Sequence, residues 1–243
     1  MVVGTSGAIS TANRESTQRD AYITQERMPN AYRPLCGAKV IGEHVYVVGA
    51  SRQVYRRAFG DHRWNKVDRK CQLPLEIESA SGFHVIDGSA EHCCLAVGKH
   101  GSIWLGDVSD SGDIWTRVEH HLTTGDLHAV HHLGDNHFLV AGAHGIILRV
   151  NMLEVEGITH QVTTETFTTV VTAFGKTYLS TDQGNLFCLD QGALSAVETP
   201  FSEATGGSLA YADGLLMFAT RQQVALFDGR AWEIITPTAY DSD

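Results

Sequence analysis

A short pattern returns six times along the 243-residue chain: two or more apolar residues, a small residue, two variable positions, often a glycine, then an apolar run. It reads Val47-Val48-Gly49-Ala50-Ser51-Arg52-Gln53-Val54, Ala96-Val97-Gly98-Lys99-His100-Gly101-Ser102-Ile103 and Val140-Ala141-Gly142-Ala143-His144-Gly145-Ile146-Ile147, with looser copies opening at Val2, Leu179 and Phe218. The small residues stand at 4, 49, 98, 142, 181 and 220, at spacings of 45, 49, 44, 39 and 39. A unit this short cannot enclose its own core, and a near-constant period of roughly 40–45 residues is that of a propeller blade. The repeat therefore predicts one all-β domain over 1–243, a six-bladed β-propeller of four-stranded antiparallel blades. Five blades with an irregular N-terminal extension are the alternative.

The fourth repeat divides into apolar stretches at 127–132, 137–142, 146–150 and 159–162. The first three are separated by Gly134-Asp135-Asn136 and Ala143-His144-Gly145, residue types that accept the positive φ of tight hairpins. Matching first strands are expected at 82–86, 167–174 and 208–212. No 3.6-residue apolar period runs beyond about three turns, so helix should be scarce. The opening repeat starts at its second strand. Ring closure then falls either to the C-terminal residues 238–241, adding an innermost strand, or to a first blade of three strands.

The formal net charge is −10, the wrong sign for a general nucleic-acid or anionic-membrane binder. Its distribution is polarised: residues 1–70 hold 12 basic and 6 acidic side chains, residues 71–243 hold 6 and 22. The basic share gathers in Arg52, Arg56, Arg57, Arg63, Lys66, Arg69 and Lys70, read as a solvated surface or as a field that steers a charged partner. Five scattered cysteines form no C-x-x-C pair and are expected as buried small hydrophobes in a reducing compartment. The longest apolar runs fall far short of the ~20 residues of a membrane span, and the first residues lack a secretory signal pattern. A cytoplasmic location is expected.

The run Leu127-His-Ala-Val-His-His-Leu-Gly-Asp-Asn-His-Phe-Leu-Val-Ala-Gly-Ala-His-Gly-Ile-Ile-Leu-Arg resembles the repeat of the photosystem II assembly and stability factor family and of related Asp-box (BNR) propellers. Asp110-Ser111-Gly112-Asp113-Ile114-Trp115 is similar to the D-x-G-x-x-W heart of an Asp box, with Val108 where Ser is usual, and Asp228-Gly229-Arg230-Ala231-Trp232 keeps a remnant of it. The resemblance implies a structural turn between third and fourth strands with its Trp packed between blades. It speaks for fold and not for chemistry.

Catalytic signatures are absent from the sequence: it holds no G-x-S-x-G elbow, P-loop, Rossmann glycine motif or Cys/His signature. Sialidases share Asp boxes, but Tyr32-Arg33-Pro34 lacks the Ile of their first-arginine motif. Of the 13 histidines, His120, His121, His128, His131, His132 and His137 crowd into eighteen residues. Alternation along a strand sends neighbours such as His131 and His132 to opposite faces, which argues against one shared ion, so no metal and no cofactor are expected. His100 and His144 occupy the same turn in adjacent blades and should share a rim. The blade links on that rim carry Glu76, Glu78, Glu119, Asp126 and Glu165, with Arg52 in the basic sector. The expected function is a non-catalytic protein-binding module whose acidic rim takes a partner with a basic surface. An inhibitor or immunity protein masking a bacterial toxin or enzyme is its most concrete form. The alternatives are an assembly or maturation factor, and a hydrolase or metal-dependent lyase using channel histidines.

Overall fold

The second strands of the first four blades are largely buried on both faces, as strands sandwiched between two packed sheets are, whereas Leu215–Ala219 of the last blade alternates between buried and exposed positions. Cys93–Gly98 is buried throughout, and His137–Gly142 everywhere but its first residue. Outer strands such as Gly112–Arg117 instead alternate, with Trp115 inward and most of the others exposed. The computed structural model describes residues 2–3, 8–12, 23–27, 34–61, 63–69, 71, 81–90, 92–109 and 112–236.

Each blade is a meander of four antiparallel strands in chain order. The first comprises β4 (Leu35–Ile41), β5 (His44–Gly49), β6 (Val54–Ala58) and β7 (Asn65–Lys66), and the second β8 (Phe83–Ala90), β9 (Cys93–Gly98), β10 (Ile103–Ser109) and β11 (Gly112–Arg117). The third runs through β12 (Leu127–Gly134), β13 (His137–Gly142), β14 (Ile147–Asn151) and β15 (Glu154–Gly157). The fourth has β16 (Phe167–Ala173), β17 (Lys176–Thr181), β18 (Leu186–Asp190) and β19 (Ala193–Val197), the fifth β20 (Ser208–Ala212), β21 (Leu215–Ala219), β22 (Val224–Phe227) and β23 (Trp232–Ile235). The innermost strands β4, β8, β12, β16 and β20 pack successively against one another. The core is the set of layers between neighbouring sheets: Tyr46, Phe83 and Trp115 between the first two blades, Leu95 and Phe138 in the next layer, Leu139 and Phe167 in the third, Tyr178 and Phe218 in the last.

Four of the innermost strands begin with the same irregularity. The pairing skips Cys36, His84, His128 and Thr168, each one residue past the start of its strand, so that the first four blades carry a β-bulge at an equivalent place. The bulge draws the strand start onto the small-residue anchor. At Gly98 and Gly142 a Cβ would collide with the carbonyl oxygens of Gly82 and Asp126, which is why these anchors are glycine although their φ is an ordinary extended −176°.

The described residues hold five four-stranded blades, and this corrects the expected six. Residues of the opening repeat form a separate three-stranded antiparallel sheet, β1 (Val2–Val3), β2 (Ala8–Ala12) and β3 (Ile23–Arg27), with β1 lying beside β4. The proposed C-terminal closing strand at 238–241 lies outside the described residues. The fourth strand expected at 159–162 is instead Glu154–Gly157, because a tight turn at Met152, φ 53°, returns the chain at once. Residues 158–166 become an ordered link. Four cysteines are buried as expected, whereas Cys36 is exposed. No helix among the described residues is long and apolar enough to cross a membrane.

Trp115 and Trp232 join blades. Trp115 is buried, stacks on Phe83 and donates its indole N–H to the Val67 carbonyl of the first blade at 2.7 Å. Trp232 stacks on Phe227 and donates to the Glu198 carbonyl in the link from the fourth blade, at 3.1 Å. Asp228 accepts the amide N–H groups of Arg230 and Ala231, both at 2.8 Å, the expected turn. Trp115→Ala is expected to cost about 3–5 kcal/mol, as for a fully buried aromatic, and the half-exposed Trp232→Ala less, both measured by chemical denaturation.

Candidate functional site

Turns between second and third strands and links between blades meet on one rim. His100 and His144 sit in left-handed backbone (φ 56° and 59°) within single 3₁₀ turns, Lys99–Gly101 and Ala143–Gly145, and Arg52 holds the same conformation (φ 57°) in the first blade. The following glycines, Gly101 and Gly145, have φ of 68° and 71° and leave no space for a Cβ beside the Thr123 and Thr163 carbonyls. Two links lock onto these turns identically. His120 donates from Nε2 to the Gly101 carbonyl at 2.7 Å while its Nδ1 accepts the Leu122 amide, and His160 does the same with Gly145 and Val162. The motif His-x-(Leu/Val)-Thr-Thr at 120–124 and 160–164 was readable in the sequence as a second, shorter repeat; its role as a turn lock needed the contacts.

The site residues expected from sequence are partly consumed by this scaffold. Asp126 accepts the His100 amide N–H at 3.0 Å, joining the second blade to the start of the third. Glu165 accepts the Thr181 hydroxyl at 2.6 Å and the Asn185 side-chain amide at 2.8 and 3.0 Å, closing the turn of its own blade. Arg52 lies over the Trp104 ring at 4.8 Å, and Arg56 and Arg57 reach the Val108 and Asp61 carbonyls, so these three arginines pack the scaffold as much as they charge the surface. Glu119 is exposed and pairs with Arg117 at 3.4 Å, and His144 is exposed on the rim. Glu76 and Glu78 lie outside the described residues.

Beside His144 the rim opens into a groove of about 700 Å³. Its walls bring together Leu122 and Val162, which the turn locks hold outward at 48 and 46% exposure, over a floor of Ile146 and Ile158. Sequence reasoning missed this pair because it looked for charge on the links.

A second cavity, about 490 Å³, runs between the innermost strands and is lined by Lys39, His128, His131, Thr168, Thr172 and Tyr211 among others. A polar chain crosses it from blade to blade. Lys39 Nζ lies 3.3 Å from Asp87 Oδ1, His131 Nδ1 lies 3.6 Å from Asp87 Oδ2, and the His132 amide donates to that oxygen at 3.0 Å. His131 Nε2 accepts the Thr172 amide at 3.2 Å, which puts the ring proton on Nδ1, facing the carboxylate. Burial alone would raise the Asp87 carboxyl, but His131, Lys39 and the amides of His132 and Gly88 outweigh it and hold Asp87 below its usual 3.8. At the other end of the strands, the rings of His84 and His128 stack 4.6 Å apart and nearly parallel, beside Asp126. His128 is disfavoured as a cation, first by burial and then by His84. The cysteines offer no nucleophile here: burial, then Asp68, pushes the Cys71 thiol up to about 12.

A depressed carboxyl stabilises the fold above its unfolded value and loses that contribution as pH falls through the lower folded value. Asp87→Ala is therefore expected to cost about 3 kcal/mol or more at neutral pH, as when one partner of a buried pair is removed. The loss of melting temperature below pH 3.8 should be shallower in the variant than in the native protein, followed by circular dichroism.

No protein-family model and no curated protein sequence matches the chain. Solved structures do. YCF48 bound to a D1 peptide aligns at a TM-score of 0.65 and 14% identity over 96% of this chain and 75% of that one. YCF48 from Cyanidioschyzon merolae aligns at 0.62 and 14% over 83% and 72%. The β-propeller domain of Cps50 (Swd1) from Myceliophteria thermophila aligns at 0.64 and 9% over 88% and 75%. At such identities the likeness is one of fold, and together with the five meanders around one axis it makes this chain a β-propeller of four-stranded antiparallel blades.

Proposed function

We propose that the chain is a non-catalytic protein-binding module that grips its partner on the rim of the turn locks. The observation that carries this reading is the groove in which Leu122 and Val162 stand exposed beside His144. Two aliphatic side chains held outward by backbone-locked links on a rigid ring give a small apolar anchor, and the surrounding links supply a polar edge. The net charge of −10, with its acidic excess in residues 71–243, suits a partner whose contact face is basic. In its most concrete form the protein is an inhibitor or immunity protein that covers the basic, substrate-binding face of an enzyme or toxin. Glu119 contributes to this edge through charge alone, whereas Asp126 and Glu165 contribute by shaping the turns they bond.

A second reading, an assembly or maturation factor that holds an extended segment of a client, draws support from the similarity to YCF48, a structure of which contains a D1 peptide. The two readings separate by what the partner does after capture, since an inhibitor abolishes its partner's activity and an assembly factor does not.

Tagged protein used as bait in extract of the native host is expected to retain one stoichiometric protein released by salt. The Leu122→Asp, Val162→Asp double variant should lose it at an unchanged melting temperature. Glu119→Lys should chiefly slow association and weaken its salt dependence, as a rim charge does. Equal retention by the folded double variant would remove the groove from the interface.

A further inference from the structure

We infer that His84, His128 and Asp126 form a binding site for a single divalent transition-metal ion at the rim end of the channel. These three side chains offer one ligand atom each, all within 4.8 Å of one another. They come from two blades. His84 and His128 are the bulge residues of β8 and β12, skipped by the strand pairing in the same way, and the equivalence of the bulges brings their rings into contact across the blade boundary. Asp126 stands at the head of β12, its carboxylate oriented by the His100 amide N–H.

Each donor is prepared for a cation. His84 Nδ1 lies 3.0 Å from the Leu127 carbonyl and so carries the ring proton, which leaves the Nε2 lone pair as the ligand. A histidine that donates its other nitrogen to a backbone carbonyl is the usual arrangement of a metal-bound imidazole, because the bond fixes both tautomer and ring orientation. His128 brings the second ring from the neighbouring blade, half-buried and stacked 4.6 Å from the first. Asp126 adds a carboxylate within 4.8 Å of both imidazole ligand atoms. Two imidazoles and one carboxylate suit zinc and its neighbours in the first transition row better than calcium or magnesium, which take oxygen donors.

Closing the site requires small movements. Tetrahedral zinc with bonds of about 2.0–2.2 Å holds its ligand atoms roughly 3.3 Å apart. The imidazoles lie within 3° of parallel, so the His128 ring must turn out of the stack about χ2 to aim its nitrogen at a common ion while His84 keeps its bond to the Leu127 carbonyl. All three residues are half-buried at the channel mouth and not packed in the core, which leaves their side chains room to turn. Three protein ligands leave a fourth position to water or to a side chain of whatever occupies the rim.

The test is a competition titration of the purified full-length protein with Zn²⁺ against a chromophoric chelator, accompanied by Co²⁺ absorption spectra. One equivalent of zinc is expected at micromolar affinity or tighter, with the visible bands of four- or five-coordinate Co²⁺. His84→Gln and His128→Gln should each weaken binding by at least ~10-fold, Asp126→Asn should weaken it while keeping an acceptor for the His100 amide, and the double histidine variant should abolish it. Circular dichroism establishes that each variant is folded. His144→Gln, on the exposed rim outside the cluster, should bind as the native protein does. No zinc bound by the native protein at about 100 µM free metal, far above the affinity of structural sites, would overturn the assignment. So would unchanged stoichiometry and affinity in the folded double variant.

Discussion

A bulge at the head of four of the five innermost strands is the constraint on which most of this propeller depends. By adding one residue without adding a rung to the ladder, it presses the strand start against the anchor of the second strand, so that glycine is required at Gly98 and Gly142. The same geometry sets one side chain out of the pairing in each of the first four blades, at Cys36, His84, His128 and Thr168. In a flat strand these residues would have been divided between two faces. The repeated bulge instead gathers chemistry contributed by different blades at one end of the channel.

The ring is also cross-linked by polar groups. Lys39, Asp87, His131 and Thr172 span four consecutive innermost strands, with Asp87 buried at the centre of the chain and compensated on both sides. Apolar contact between sheets is tolerant of small slides, whereas a buried carboxylate with fixed donors is not, so this chain sets the register of blade against blade. On the rim the His120 and His160 locks do the same for the links. A surface that binds through Leu122 and Val162 would then be ordered before the partner arrives, which limits the entropy lost on association.

Much of the architecture was legible because its signals are periodic. The blade anchors and the turn residues that follow them mark the second and third strands of each sheet. The number of blades was less legible, since the opening unit carries the pattern but not the strands, and the sheet of residues 2–27 has three. The stretch 159–162 was misread as a strand because Thr, Gln and Val carry strand propensity, while the turn at Met152 and the His160 lock decide otherwise. The candidate site was harder still. The crowded histidines from 120 to 137 scatter in space: His120 locks a turn, His131 joins Asp87 and Thr172, and His132 holds the Asp135 carbonyl. The pair that does meet, His84 and His128, lies one blade apart in the chain.

By itself the sequence determined that this protein is a repeated all-β meander, where its tight turns fall, and that its charge is acidic after the first blade. These follow from period, residue type and composition, which are local properties. Only the tertiary structure decided which acidic residues remain free on the rim, which histidines touch, and that Arg52, Arg56 and Arg57 serve packing. The reason is that blade stacking juxtaposes residues some 40–50 positions apart through bulges and links, whose one-residue offsets leave no mark on a sequence period.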